Sequence, residues 1–292
     1  MSTITERFQN IYQLNNHYFE MIGVGSIGSY TTYCLAQAGA KNFMLWDDDV
    51  VDTVNIGVQH YNLQEVGLSK VKSMKKQIQN LNPNANVGTF TKKYDNATLR
   101  KPVQWLQHRP FYRSDPQSAL KFNKKCFIIC GIDNMSGRKG IMESLFTQSS
   151  CYSVYDTWII DARMGSETLQ MYTWQLYTLE EKAQIISILA NITSRIQTWS
   201  QREEIRKSVH PIYLAAGERF LKNYLTTWYS DEEGSSEPCN ARSTNYCGSM
   251  AGAFINNAVR KICDEKSLPN TNLVFNFPSM MLQCDTDYSR LT

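Results

Sequence analysis

Residues 17–39 read HYFEMIGVGSIGSYTTYCLAQAG, with Gly23, Gly25 and Gly28 in G-x-G-x-x-G spacing. An apolar run leads into the glycines, and an amphipathic run containing Ala and Leu leads out. That is the order of a strand, a tight turn and a helix whose free N–H groups can hold a phosphate. Gly23, Gly25, Ser26, Ile27 and Gly28 are the candidate cradle. Asp47, 19 positions after Gly28, closes the next apolar run, where a carboxylate can accept from ribose hydroxyls. NAD, FAD and ATP all satisfy these residues.

Composition narrows the class of protein. With 292 residues the chain can bury a substantial core, as one large α/β domain or two modest ones. Hydrophobic residues make up 42% and charged residues 20%, an ordinary globular balance that excludes disorder as the default. A net charge of +3 does not imply nucleic-acid binding. No apolar run approaches the ~20 residues of a membrane helix. The opening MSTITERFQNIYQLNN lacks the apolar centre of a signal peptide, so the expected location is cytoplasmic. None of the eight cysteines forms a C-x-x-C pair, so neither a zinc knuckle nor a dithiol redox centre is expected. Cys126 and Cys130 share one face of the run CFIIC and read as core residues. His17, His60, His108 and His210 show no metal-binding spacing.

Along the chain, KNFMLWDDD reads as a second strand. In SKVKSMKKQIQNLNP, Val71, Met74, Ile78 and Leu81 share a helical face that Pro83 ends. NVGTFTKKY, KCFIICGIDN, TWIIDARMG, ETLQMYTWQLY and NLVFNF read as further strands, the last of them closing the series. Residues 96–125 interrupt the rhythm with prolines, Lys and Arg and read as a surface insertion. Thr178 and Glu181 form a capping box ahead of Ile185, Ile188, Leu189, Ile192, Ile196 and Trp199 at helical spacing. A second helix is expected over 212–229, and another carrying Ala251, Phe254, Ile255, Ala258, Val259 and Ile262. Near-continuous apolar strands alternating with helices predict an α/β architecture, its mostly parallel sheet covered by helices on both faces. The glycine loop, the DDD run and GIDN then share one edge of the sheet.

The residues after the second strand separate the ligands. LWDDDVVDTVNIGVQHYNLQEVGLSK holds Asp47, Asp49, Asn55, Gln59 and a VG-x-x-K segment ending at Lys70, and Asp133 follows in GIDN. Lys70 alone reads as a solvated helix-start lysine, and Asp133 alone as an N-cap. As an ordered set over residues 18–138, they resemble the ThiF/MoeB/HesA family of adenylating enzymes, which includes the ubiquitin-activating enzymes. Within that family the second half, with DARMG and PCN…CGSM, looks closer to stand-alone ThiF-type proteins.

The resemblance implies a single Rossmann-like adenylation domain over 1–292. Residues 1–150 form its nucleotide-binding half, and 151–292 its substrate and dimer half, with a helical insertion at about 178–229. It implies adenylation of a carboxylate by ATP with release of pyrophosphate. The implied substrate is the C-terminus of a small ubiquitin-like or sulfur-carrier protein, and the implied assembly is a homodimer. ATP would be held by Gly23, Gly25, Ser26, Ile27, Gly28, Asp47, Asp49, Asn55, Lys70 and Asp133, with Mg²⁺ on Asp133. Lys70, Asp133, Asn55 and Gln59 are the catalytic candidates, and Cys239 is the candidate for a thioester.

The chemistry suits the set. A carboxylate approaching a polyphosphate needs positive charge where charge develops, and a hard cation takes oxygen ligands. One position departs from the family pattern: Val58 stands where an Arg usually precedes the Gln, and Arg7 or Arg163 is a candidate replacement. The alternatives are an enzyme of the same fold acting on a peptide or a modified tRNA base, and a non-catalytic or NAD-binding protein. The basic insertion supports the first and Val58 the second.

Overall fold

In the computed structural model, residues 13–94, 124–146, 155–165, 167–193, 199–229, 244–264 and 270–287 are described. Arg7, nearly all of the insertion at 96–125, Ile196, and Cys239 with the SDEEGSSEP segment before it lie outside the described residues.

The elements run β1 (Tyr18–Ile22), α1 (Ser26–Gln37), β2 (Asn42–Trp46), α2 (Lys70–Leu81), β3 (Asn86–Phe90), β4 (Lys125–Cys130), α3 (Met135–Phe146), β5 (Asp156–Met164), β6 (Thr168–Gln175), α4 (Leu179–Thr193), α5 (Trp199–Tyr224), α6 (Asn245–Cys263), β7 (Asn270–Asn276) and β8 (Met281–Asp287). The strands form one eight-stranded sheet in the order β3-β2-β1-β4-β5-β6-β7-β8. The five from β3 to β5 are parallel, and β6, β7 and β8 add on antiparallel.

β1 and β2 are buried along their whole length. Helices therefore cover both faces, as parallel strands require. Phe19, Met21, Phe43, Leu45, Phe127 and Ile129 point to a first core closed by α1, α2 and α6. The alternate residues Tyr18, Ile22, Met44, Trp46, Cys126, Ile128 and Cys130 point to a second core closed by α3, α4 and α5. Cys126 and Cys130 are core residues, as their spacing predicts.

Two expectations need correction. The helix expected at 212–229 begins at Trp199 and runs through Pro211 before ending at Tyr224. Proline in a helix interior costs about 3 kcal/mol. Val209, Tyr213, Ala216, Phe220 and Tyr224, all buried on one face of the second core, offset that cost. The strand series also does not close at NLVFNF, because Met281–Asp287 returns along it as β8. The α4 capping box forms as expected: Thr178 N–H donates to Glu181 Oε2 at 2.8 Å, and Glu181 N–H to Thr178 Oγ1 at 3.2 Å.

The chain leaves β1 toward β2 on one side, and β4 lies on β1's other side. The point where strand order reverses is the crevice in which open α/β sheets bind ligands.

Candidate active site

The glycine loop lies at this reversal. Gly23 has φ of +86°, and a Cβ there would stand 2.9 Å from Ile132 Cγ2. At Gly28 a Cβ would stand 2.0 Å from Gly23 O, so this glycine allows α1 to press against the end of β1. Gly25 is different: the nearest atom to a Cβ is Gln59 Nε2, at 4.0 Å. Gly25 faces open space.

The segment between β2 and α2 folds back over the loop and is stitched to it. Tyr61 Oη donates to Val24 O at 2.7 Å, Ser26 Oγ to Val58 O at 2.8 Å, and His60 N–H to Ser29 Oγ at 2.9 Å. Asp47 joins β2 to the loop, with Oδ2 accepting Val24 N–H at 2.8 Å and Oδ1 accepting Asp49 N–H at 2.9 Å. Each of these oxygens keeps a lone pair for a ribose hydroxyl. Burial pushes the Asp47 carboxyl up, while Lys70 and the two N–H donors pull against that rise. The VG-x-x-K spacing has a structural meaning. Gly67, with φ of +82°, turns the chain so that Lys70 N–H reaches Asp49 O at 3.1 Å and α2 begins. Lys70 Nζ then bonds Asp49 Oδ2 at 2.7 Å, the lysine buried and the carboxylate exposed.

These residues open onto a cavity of about 680 Å³. It brings together Gly23, Gly25, Ser26, Ile27, Asp47, Asp49, Gln59, Lys70 and Asp133. Two of the predicted residues that are described do not line it. Gly28 is spent on the packing just described. Asn55 is buried one turn before Gln59, where its Oδ1 accepts Asp52 N–H at 2.9 Å in a capping box. Asn55 therefore shapes the turn that presents Gln59. Gln59 lines the cavity, and its buried Oε1 has no hydrogen-bond partner among the described residues. Asp133 is exposed at the start of α3, and one of its oxygens accepts Asn134 Nδ2 at 3.2 Å.

Sequence reasoning named Arg163 only as a replacement cation and missed the rest of the far wall. Arg138 of α3 and Arg163 of β5 both line the cavity, and both bind the buried Asp161. Arg138 donates from Nη1 to Asp161 and from Nη2 to Ile132 O, next to Asp133. Arg163 donates from Nε to Asp161 Oδ2 at 2.8 Å and from Nη1 to Thr227 O at 2.8 Å. Its Nη2 reaches Thr227 Oγ1 at 3.1 Å, and its guanidinium lies 4.6 Å from the Tyr172 ring. The available signal was Asp161 and Arg163 two apart in an otherwise apolar strand, which puts both on one face. Lys93 and Tyr94 after β3 also line the cavity. Among the described residues, four cations and four aspartates share its wall, so together they offer a polyphosphate little net positive charge.

A family model described as "ThiF family" matches residues 2–286. The chain belongs to the ThiF family. Among relatives, this ThiF-family chain is 34% identical over 94 residues to the tRNA threonylcarbamoyladenosine dehydratase of Bacillus subtilis, 32% of this chain and 37% of that protein. It is 26% identical over 129 residues to ubiquitin-like modifier-activating enzyme 5 of Culex quinquefasciatus, 44% of this chain and 31% of that protein. The matched stretch thus spans about a third of each relative. The solved structure of Escherichia coli MccB with succinimide superimposes with a TM-score of 0.55 at 13% identity, covering 94% of this chain and 64% of that one. That likeness establishes the shared fold.

Proposed function

We propose that this chain uses ATP to adenylate a carboxylate and releases pyrophosphate. The observation that carries the reading is the convergence of Lys70, Gln59 and Asp133 on the glycine-loop cavity. A hydride-transfer site needs none of these groups. In this reading residues 1–150 hold the nucleotide, and 151–292 supply Arg163, Met164 and Tyr229 to the wall against which the second substrate lies.

The α-phosphate sits at the N-terminus of α1, where backbone N–H groups and the helix dipole favour an anion. Gly25 leaves room for it, and Asp47 takes the ribose. Lys70, pre-positioned by Asp49, contacts the phosphates beyond it. The acyl carboxylate is already ionised, so attack needs no general base. Its oxygen forms a bond to the α-phosphorus, the bond to the bridging oxygen breaks, and pyrophosphate leaves with that electron pair. Asp133 is an exposed oxygen donor fit for a hard divalent cation, and Asn134 beside it fixes the carboxylate. Mg²⁺ held there would neutralise phosphate charge that the balanced cavity wall does not. Gln59 offers hydrogen bonds without adding charge.

Among substrates we favour the C-terminus of a small ubiquitin-like or sulfur-carrier protein. The names of relatives support this, such as ubiquitin-like modifier-activating enzyme 5 and the adenylyltransferase and sulfurtransferase UBA4 of Candida glabrata. The likeness to tRNA threonylcarbamoyladenosine dehydratase favours a second reading, with the carboxylate on a modified tRNA base.

ATP–pyrophosphate exchange tests the proposal. Exchange should require a carboxylate substrate and disappear in Asp133→Ala. Stimulation by a glycine-ended carrier protein or by tRNA separates the two substrates. A protein that binds NAD in preference to ATP refutes the reading. Transfer to a thiol is read as a DTT-sensitive adduct that is lost in Cys239→Ala.

A further inference from the structure

We infer that Arg163 anchors the attacking carboxylate, on the opposite side of the reacting phosphorus from Lys70. The inference rests on the adenylation reading. Its starting point is Val58, which puts an apolar side chain where the family pattern carries a cation. The carbonyl of Val58 is engaged by Ser26 Oγ at 2.8 Å.

Among the described residues, the cations on the cavity wall are Lys70, Lys93, Arg138 and Arg163. Lys93 is exposed beyond the end of β3. Arg138 is 3% exposed and uses its two terminal nitrogens on Asp161 and Ile132 O. Arg163 is also buried and spends three of its five N–H groups on Asp161 and Thr227; what sets it apart from Arg138 is not the number of spare donors but the three tyrosine rings around its guanidinium. The rings of Tyr172, Tyr224 and Tyr229 lie 4.6, 5.5 and 5.7 Å from its guanidinium carbon and hold the plane in place. One carboxylate, Asp161, serves two guanidiniums, so the cluster keeps a positive charge at the cavity wall. A fixed, planar, partly unsatisfied guanidinium suits the two oxygens of a carboxylate.

The sheet decides which anion it meets. Lys70 enters the cavity from α2, in the helical layer of the first core. Arg163 lies on the face of β5 that meets α5, in the layer of the second core. Phosphoryl transfer places attacking and leaving oxygens roughly in line through phosphorus. With Lys70 on the leaving pyrophosphate, the opposed cation receives the incoming carboxylate. Arg163 does not stand in for the cation missing at Val58. It serves the other end of the reaction axis.

The test uses the full chain loaded with Mg²⁺ and a non-hydrolysable ATP analogue, and two probes: a glycine-ended pentapeptide as free acid and as C-terminal amide. The parent protein should bind the acid at least tenfold more tightly than the amide. Arg163→Met should erase that preference while leaving ATP affinity within twofold, and Arg163→Lys should restore part of it. Thr227→Val keeps the charge but loosens its aim, and should cut the preference several-fold with the melting temperature little changed. An acid preference that survives in Arg163→Met overturns the inference, as does the absence of any preference in the parent. A large loss of ATP affinity in that variant also overturns it, by placing Arg163 on the phosphates. Failure of the parent to bind ATP at all would refute the adenylation reading instead.

Discussion

Gly25 and Gly28 stand three residues apart in one loop, yet adding a methyl group to each should have opposite consequences. At Gly28 the new Cβ would lie 2.0 Å from Gly23 O and 2.9 Å from Gly23 C, both backbone atoms. The first approach is 1.0 Å inside the 3.0 Å that real Cβ contacts keep, and neither partner can rotate away. α1 must shift off β1, an overpacking that costs about 3 kcal/mol or more. For a chain of this size that lowers the melting temperature by roughly 6 °C. At Gly25 the Cβ would meet only Gln59 Nε2, at 4.0 Å, so Gly25→Ala should cost no more than about 1 kcal/mol, the penalty for Ala at the N-cap of α1. Its methyl instead occupies the space assigned to the α-phosphate. A steric cost of about 1–3 kcal/mol there weakens ATP binding roughly 10- to 100-fold. Thermal melts and calorimetric titration with ATP·Mg²⁺ read the two effects separately. A Gly25→Ala protein that binds ATP like its parent would show that no phosphate approaches this loop. A Gly28→Ala protein as stable as its parent would refute the packing argument.

Lys70→Met should weaken ATP binding by about 10- to 100-fold while sparing AMP, because the lost charge-assisted contact is to the outer phosphates. Stability should change little, since Asp49 is 63% exposed and is rehydrated; calorimetry with both nucleotides checks this. His17 should make the fold acid-sensitive. Burial, with Lys125 nearby, lowers its pKa from 6.5 to about 4, and its Nδ1 accepts Lys125 N–H at 3.1 Å, a bond the protonated ring cannot make. The unfolded chain takes up this proton first, so stability is full above pH 6.5. About 3 kcal/mol is then lost as pH falls to 4, a slope that denaturant titrations should find flattened in His17→Gln. Asp161→Asn leaves two buried guanidiniums without their anion and should cost about 3–5 kcal/mol, read as a lowered denaturation midpoint.

What could be read from sequence is what is local in the chain. The glycine loop, the acidic end of β2 and the start of α2 are each written within a few residues, and all reappear. Lys70 was legible as a member of a spacing, although its pairing with Asp49 was not. Asn55 carried the right type and spacing for a ligand contact, but its Oδ1 is engaged in a turn and the residue does not line the cavity; that placement depends on backbone geometry. The Arg138–Asp161–Arg163 cluster joins a helix to a strand 23 residues away, and such a pairing leaves no periodic trace. The helix through Pro211 was hidden for a related reason. Local propensity opposes it, and the packing of its buried face against α3 and the sheet decides.

The last helix has a consequence for how the molecule comes into being. A Cβ on Gly248 of α6 would stand 2.5 Å from Ser26 Oγ, and one on Gly252 would stand 3.0 Å from Tyr30 C. α6 is the back wall of the nucleotide loop. During synthesis the support for the glycine loop arrives more than two hundred residues after the loop itself. The glycine-loop cavity is therefore among the last of the described parts to mature. A nascent or truncated chain lacking α6 would expose the apolar side of α1 and hold the glycine loop loosely, so the proposed cradle forms only once α6 is made.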